Sequence, residues 1–422
     1  MRMNKEIAER IELINQGRIP KGYKENNNLK IPNEWNVLNL GNIMDFKNGL
    51  NYGKNDVGEE IKILGVGDFQ KNFYLKTSDL NKIKYSDLDK NYLLENGDLI
   101  FVRSNGNKEL IGRVLYCENI EEKVTYSGFT IRGRLNSNDF LDKYCAYYCS
   151  SNLVKKQYMQ NGGGTNISNL SQEILANVKI TKPPIKEQEK IIRIISTFDR
   201  LIELKEKLLQ EKQKQKKGLM ERLLSGKVRV SSFKKKWNRV TINKIIEESK
   251  DIENDPKFEK LMSVKLHLQG VHKRAVSGTE VDGATTVYKR KKGQFIYGKQ
   301  NFHNGAIGII PTELDGFGSS NDIPAFDFKN GYSPLYFYYY WARENYYKKL
   351  ESATTGTGSK RLNPKELLSI SIKVPEYEEQ LEIVKIIKLA DKELDLLKKE
   401  IEALKKQKKG LMQLLLTGIV RV

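Results

Sequence analysis

Glu187-Gln-Glu-Lys-Ile-Ile-Arg-Ile-Ile195 opens a stretch that runs through Lys214-Gln-Lys-Lys-Gly-Leu-Met220 and closes on Val228-Arg-Val230. The chain repeats it 192 positions on. Glu379-Gln-Leu-Glu-Ile-Val-Lys-Ile-Ile387 leads through Lys406-Gln-Lys-Lys-Gly-Leu-Met412 to Val420-Arg-Val422, and the two copies align without a gap. Roughly half of the paired positions are identical. A helical segment repeated behind two unlike stretches of about 150 residues predicts a two-headed molecule, with a spacer of fixed geometry between different globular heads.

In the second copy, Ile383, Ile387, Ala390, Leu394, Leu397, Ile401, Leu404, Lys408, Leu411 and Leu415 alternate four and three apart. That spacing predicts a coiled-coil seam. The matching positions of the first copy are Ile191, Ile195, Phe198, Ile202, Lys205, Leu209, Lys212, Lys216, Leu219 and Leu223, apolar at both ends and lysine-interrupted between. Each helix should run for about 40 residues, or about 60 Å at 1.5 Å per residue. Prolines precede each start, Glu187 and Glu379 suit the positive helix end, and Gly226 and Gly418 suit the stop.

Around the helices the chain divides into five parts. Residues 1–20 form an N-terminal amphipathic helix ended by Gly17 and Pro20, and residues 21–183 a first globular block that opens with a Lys- and Asn-rich loop. Residues 184–230 are the first helical spacer, 231–374 a second block and 375–422 the second spacer. Both blocks mix short β-type runs (61–66, 98–102, 294–297, 306–310) with Gly, Asn and Asp turns. Each carries one expected helix, 140–159 and 334–350, so both read as α+β. The blocks also echo each other: Gly97 to Asn105 matches Gly293 to Asn301 in pattern, and Gly162 to Leu170 matches Thr354 to Leu362.

With 73 Lys and Arg against 53 Asp and Glu in 422 residues, the formal charge of +20 points to a polyanionic partner, nucleic acid first. A lysine-rich genome is the plainer source of such a charge. No apolar run approaches membrane-spanning length and no targeting signal is visible, so a cytoplasmic location and no membrane partner are expected. Cys117, Cys145 and Cys149 are odd in number and lack CxxC spacing, and with His267, His272 and His303 they make no zinc pattern. No metal is expected. There is no GxxxxGK[ST] loop, and no Gly-rich methyl-donor loop followed by Asn-Pro-Pro-aromatic. Glu121-Glu-Lys123 and Glu203-Leu-Lys205 imitate nuclease tails, but such triplets arise by chance in a chain this rich in Glu and Lys.

The sequence resembles the specificity subunit of type I restriction–modification systems. The resemblance covers the whole chain and rests mainly on the paired helical regions, with Lys-Lys-Gly-Leu-Met, Leu-Leu-(Ser/Thr)-Gly and the Glu-Gln start after proline. The Gly97-Asp-Leu-Ile-Phe-Val-Arg-Ser104 strand and loop and the Gly-rich loops resemble that family's target recognition domains, and Glu9 to Lys24 resembles a segment that packs beside the helices. No second copy of that segment follows Val230. The resemblance implies two target recognition domains separated by two long antiparallel coiled-coil helices, a pseudo-twofold internal repeat. It implies double-stranded DNA read as a split site, two docked methyltransferase subunits and, in a full restriction system, two restriction/translocase subunits. It implies no catalytic residue here and no cofactor, the methyl donor and ATP binding the partner subunits.

Base and phosphate contacts call for Arg, Lys, Asn, Gln, Ser and Thr on loops that end strands. The candidates in the first block are Arg103, Ser104, Asn105, Asn107, Thr165 and Asn166. In the second they are Lys299, Gln300, Asn301, His303, Asn304, Ser359, Lys360 and Arg361. Lys289-Arg-Lys-Lys292 suits phosphate contact or solvated surface, and the aromatic run Tyr336 to Trp341 suits a core helix. Leu219, Met220, Leu223, Leu411, Met412 and Leu415 are the candidate methyltransferase-binding and seam residues. Two other readings compete: a coiled-coil scaffold whose heads bind proteins, and a specificity chain that directs methylation without a nuclease partner.

Overall fold

A computed structural model describes residues 5–53, 57–69, 73–86, 88–161, 169–230, 232–275, 286–353 and 361–422. The chain forms two compact units: Met1–Leu204 with Glu400–Val422, and Lys205–Lys399. Both unit boundaries fall inside long helices, Ile185–Leu224 and Tyr377–Leu416, of 40 residues each. None of the twenty seam positions is exposed; Ile191, Ile383, Ile387 and Leu415 are fully buried. Both helices stop at a glycine in the left-handed region, Gly226 at φ 73° and Gly418 at φ 71°, where a side chain would strain the backbone.

In the first unit a four-stranded antiparallel sheet runs in the order Met44–Asn48, Thr130–Leu135, Leu99–Val102, Val114–Tyr116. Leu99–Val102 is buried along its whole length, as a central strand covered on both faces must be. A second sheet pairs Glu59–Leu64 antiparallel with Asn81–Tyr85 and parallel with Val124–Tyr126. The expected loop after Lys21 contains a hairpin, Tyr23–Asn26 with Leu29–Pro32, turning on Asn27 and Asn28. Both asparagines have positive φ, which matches the strand twist. The N-terminal helix is Lys5–Asn15. Its Arg10 guanidinium donates to the Ile419 carbonyl, and the Tyr23 hydroxyl donates to Gly418 O at 2.5 Å.

The second unit has a four-stranded antiparallel sheet in the order Ile246–Ser249, Ala325–Phe328, Phe295–Tyr297, Ile307–Ile309. Its core is strongly aromatic. Phe295, Tyr297, Phe302, Phe326, Tyr336, Phe337 and Trp341 are all buried in one cluster, so the aromatic run is core.

The single helix expected over 140–159 is two, Asp142–Ser150 and Asn152–Asn161. Ser151 is extended at ψ 161°, and its hydroxyl turns back to Tyr148 O at 2.6 Å, ending the first helix. The helix expected over 334–350 likewise splits into Pro334–Trp341 and Glu344–Lys349, with Arg343 extended between them. No described helix is long and apolar enough to cross a membrane.

Candidate nucleic-acid interface

Each unit is built on the first turn of one long helix and the last turns of the other. In the first unit, the Glu187 carboxylate takes a bidentate pair from Arg421, at 2.6 and 3.0 Å, and the Trp35 indole N–H at 2.9 Å. Gln188 accepts the Leu141 N–H at 2.9 Å and donates to Asp139 O and Pro183 O, tying the helix start to the head. In the second unit, Glu379 takes Arg229 at 2.6 and 2.7 Å and Trp237 at 3.2 Å. Gln380 accepts the Ser333 N–H and donates to Gly331 O and Pro375 O. The Glu-Gln and Val-Arg-Val signatures are therefore two ends of one contact. Burial with a bidentate guanidinium is why the residues must be Glu and Arg.

Farther along each helix a lysine, an aspartate and a tyrosine meet. Lys408 pairs with Asp199, which also accepts the Tyr147 hydroxyl at 2.8 Å. The Lys408 ammonium lies over the Phe73 and Tyr147 rings, themselves stacked at 4.5 Å. Burial, with the Asp199 charge second, pushes the Tyr147 phenol far up, so it stays a donor. In the second unit Lys216 pairs with Asp391, which accepts the Tyr339 hydroxyl at 2.6 Å, and Lys212 pairs with Glu393 at 2.6 Å. Within each unit, partners climb on one helix as they descend on the other, so the segments packed there are antiparallel.

The recognition candidates sit on the loops leaving the central strands. Arg103 follows Leu99–Val102; its N–H donates to Phe129 O at 2.8 Å and its carbonyl accepts the Leu170 N–H at 2.8 Å. Its half-exposed guanidinium reaches Gly128 O at 3.4 Å. Lys299 holds the corresponding place after Phe295–Tyr297, its N–H on Asp322 O and its carbonyl on the Leu362 N–H, both at 2.9 Å. Thus one hydrogen bond in each unit joins the two echoing sequence patterns. Lys299, however, is buried, and its ammonium bonds Asn321 at 3.3 Å.

Several candidate asparagines shape their own turns. Asn105 accepts the Asn107 N–H at 2.7 Å, and Asn107 accepts the Glu109 N–H at 3.1 Å. Asn304 donates to Asn301 at 3.1 Å and contacts His303 at 3.3 Å. Ser104 is half-exposed and Gln300 exposed. Arg361 is exposed and pairs with Asp322 at 3.3 Å. Thr165, Asn166, Ser359 and Lys360 lie outside the described residues. Arg290 is not surface: its guanidinium is buried on Ser319, Ser249 O and Ile323 O, while Lys289, Lys291 and Lys292 are exposed.

The sequence reading missed a concave region beside Arg103. It is lined by Tyr52, Lys82, Lys84, Gly128 and Phe129 among others, with a volume of about 950 Å³. Phe129 is 64% exposed and Tyr52 46%, unusual for aromatics. In the second unit the hairpin Met262–Lys265 with Gly270–Lys273 is anchored by His267 and Leu268 on Asn304 O and Gly305 O, and presents Lys265, His272 and Lys273.

Of the partner-binding candidates, Met220 and Leu223 lie in the second unit's core and Met412 and Leu415 in the first unit's; Leu219 and Leu411 pack partly against those cores. The exposed leucines of the long helices are Leu201, Leu204, Leu208, Leu381, Leu389 and Leu396, all off the seam.

The model of the type I restriction modification DNA specificity domain matches residues 32–212 and 283–406. The chain belongs to this family. It is 25% identical over 429 residues to the type I restriction enzyme MjaVIII specificity subunit of Methanocaldococcus jannaschii, covering 95% of this chain and 96% of the relative. Over 163 residues it is 31% identical to the StySPI specificity subunit of Salmonella potsdam, covering 38% of this chain and 35% of that one. Its fold is similar to the HsdS subunit from Thermoanaerobacter tengcongensis, with TM-score 0.50, 15% identity and coverage of 96% and 98%. A chain from a study of complex assembly in the type I R-M system gives TM-score 0.58 at 14% identity, covering 93% of this chain and all of that one. Mixed α/β architecture in two units is thus the fold of specificity subunits.

Proposed function

We propose that this chain selects the DNA target of a type I restriction–modification assembly and performs no chemistry itself. Residues 21–183 and 231–374 are the two target recognition domains, each reading one half of a bipartite site in double-stranded DNA. The spacers 184–230 and 375–422 form an antiparallel coiled coil that fixes the gap between half-sites, and residues 1–20 pack beside it. The observation that carries this reading is the recurrence, 192 residues apart, of two contact sets: Glu187–Arg421–Trp35 with Glu379–Arg229–Trp237, and Lys408–Asp199–Tyr147 with Lys216–Asp391–Tyr339. Two heads mounted on the same frame with different loops suit a pseudo-twofold reader of two different half-sites.

Two methyltransferase subunits dock on the exposed leucines of the helices and, in a full system, two restriction/translocase subunits join them. The methyl donor and ATP bind those partners, in the cytoplasm. Phe129, Tyr52, Lys82 and Lys84 join Arg103 as DNA-facing groups, while Lys299, Asn301 and Asn304 position their loop. Methylome sequencing of a host with and without the gene tests the reading, and the expected result is loss of one split motif. Exchanging residues 21–183 for the block of a related subunit should change one half-site and keep the other. Simultaneous change of both halves, or no lost motif, refutes it.

A further inference from the structure

The backbone of Phe129 is tied into the fold of the first unit, while its ring is 64% exposed. Its carbonyl accepts the Arg103 N–H at 2.8 Å. The turn that carries it is held on both sides, the Gly128 N–H donating to Leu50 O at 2.6 Å and the Thr130 N–H to Ser127 O at 2.8 Å. A side chain at Gly128 would collide with that of Asn51, so the backbone is packed to contact there. Tyr52, 46% exposed, lines the same concave region of about 950 Å³. So does Ser127, which is buried and whose Oγ has no hydrogen-bond partner among the described residues. Charge does not select an occupant, since Lys82 and Glu60 both line the region and pair with each other at 3.2 Å. The second unit differs. Asp322 O accepts the Lys299 N–H at 2.9 Å, so Asp322 stands where Phe129 stands, and its carboxylate pairs with Arg361 at 3.3 Å.

We infer that the first unit unstacks one base of its half-site and seats it against Phe129, with Tyr52 lining the same recess. The inference rests on the reading of residues 21–183 as a target recognition domain. Inside a duplex the face of each base is covered by its neighbours, and the grooves present only edges and phosphates. An exposed aromatic ring offers a face, and an unstacked base is the part of DNA that matches it. A ring on a convex surface would wedge between base steps, whereas a ring in a recess receives a base that has left the stack. A nucleobase also brings edge donors and acceptors, which suits a recess where the Ser127 Oγ is unpaired. Because the turn is fixed before DNA arrives, little ordering of the backbone opposes the stacking. Recognition by this unit then depends on how easily its half-site unstacks, a preference that edge contacts alone do not supply.

The test places 2-aminopurine in turn through each half-site of the split target found by methylome sequencing. The duplex is bound by the full chain assembled with its methyltransferase, without methyl donor, and fluorescence, which stacking in the duplex quenches, is read at saturating protein. One position of one half-site should brighten severalfold. Phe129→Ala should lower the ratio of unstacked to stacked base there about tenfold. Phe129→Tyr should keep the signal, and Phe129→Leu, which retains an apolar side chain without a flat face, should lose it as alanine does. The ring is exposed, so all three variants should keep the thermal midpoint. A probe in place of the methylated base reads the methyltransferase and should be the same in every variant. Absence of brightening, or brightening that survives Phe129→Ala, overturns the inference. So does a leucine variant that behaves like the parent, which would make the ring an apolar contact with a thymine methyl. A split motif without Phe129-dependent unstacking sinks this inference alone. A host that loses no motif with the gene sinks the specificity reading and the inference together.

Discussion

Arg229→Ala should destabilise this protein strongly, and the structure gives the size. The Glu379 side chain is 1% exposed and Arg229 26%. Removing the guanidinium leaves a carboxylate enclosed in protein with only the Trp237 indole N–H, at 3.2 Å, and its own helix end. Breaking a pair of this kind costs about 3 kcal/mol. Arg421→Ala should cost less, about 1–2 kcal/mol, because Arg421 is 37% exposed, so solvent screens the pair and can reach Glu187 when it is lost. Glu379→Gln keeps a hydrogen-bonding group in place and should cost about 1 kcal/mol. The coupling from the double-mutant cycle should then be about 1–2 kcal/mol. The chain has three tryptophans, and Trp35 and Trp237 each touch one of these glutamates. Fluorotryptophan labelling with urea titration followed by fluorine NMR therefore reads the two units separately, which matters where two-state behaviour is not assured. A loss below about 0.5 kcal/mol for Arg229→Ala, or a larger loss for Arg421→Ala, would show that these pairs do not hold the helix tails.

Three further outcomes are expected. Phe129→Ala should weaken cognate DNA binding about tenfold, with no change in thermal midpoint, since the ring is exposed. The hydrogen bonds and charges of Lys217, then Lys348, hold the Glu344 carboxyl down to about 2, so the folded value lies below the unfolded one. The contribution of this pair should be complete above the usual carboxylate range and fade only as pH falls toward 2, and an acid titration compared with Glu344→Gln should reveal it. Four residues inserted after Lys212 add about one turn, roughly 6 Å, against about 3.4 Å per base pair. Methylation should therefore move to a gap one or two base pairs longer or vanish, and unchanged methylation at the original gap would mean the helices do not set it.

What the sequence could and could not disclose follows from the range of the forces involved. Helix periodicity is a local property, so the extent of both long helices and the non-exposed seam were readable from spacing alone. The reason for Val-Arg-Val was not, because Arg421 meets Glu187 across 234 positions and Arg229 meets Glu379 across 150. The helix breaks at Ser151 and Arg343 fall in the short polar stretches Ser150-Ser-Asn152 and Arg343-Glu-Asn345, which contain no glycine or proline to mark a stop. The loops were the least legible of all. Asparagine serves a turn and an adenine edge with the same amide. Nothing short of the backbone shows that Asn105, Asn107 and Asn304 already spend theirs on turns.

The same ambiguity governs cations, and there burial decides it. Arg103 and Lys299 occupy corresponding positions, each holding a leucine N–H with its carbonyl. Yet Arg103 is only half-buried, while Lys299 is buried with its ammonium turned onto Asn321. Arg290 is enclosed by Ser249, Ser319 and Ile323, and burial lowers it to about 10 without depriving it of charge at neutral pH. A large formal charge therefore overstates what faces DNA. In the first head the exposed Lys82 and Lys84 line a concave region beside Arg103 with the exposed Tyr52 and Phe129. In the second, exposed cations stand on the hairpin over 262–273, at Arg361 and at Lys289, Lys291 and Lys292. The two units thus carry four-stranded antiparallel sheets of matching order with different exposed groups on the loops that leave them.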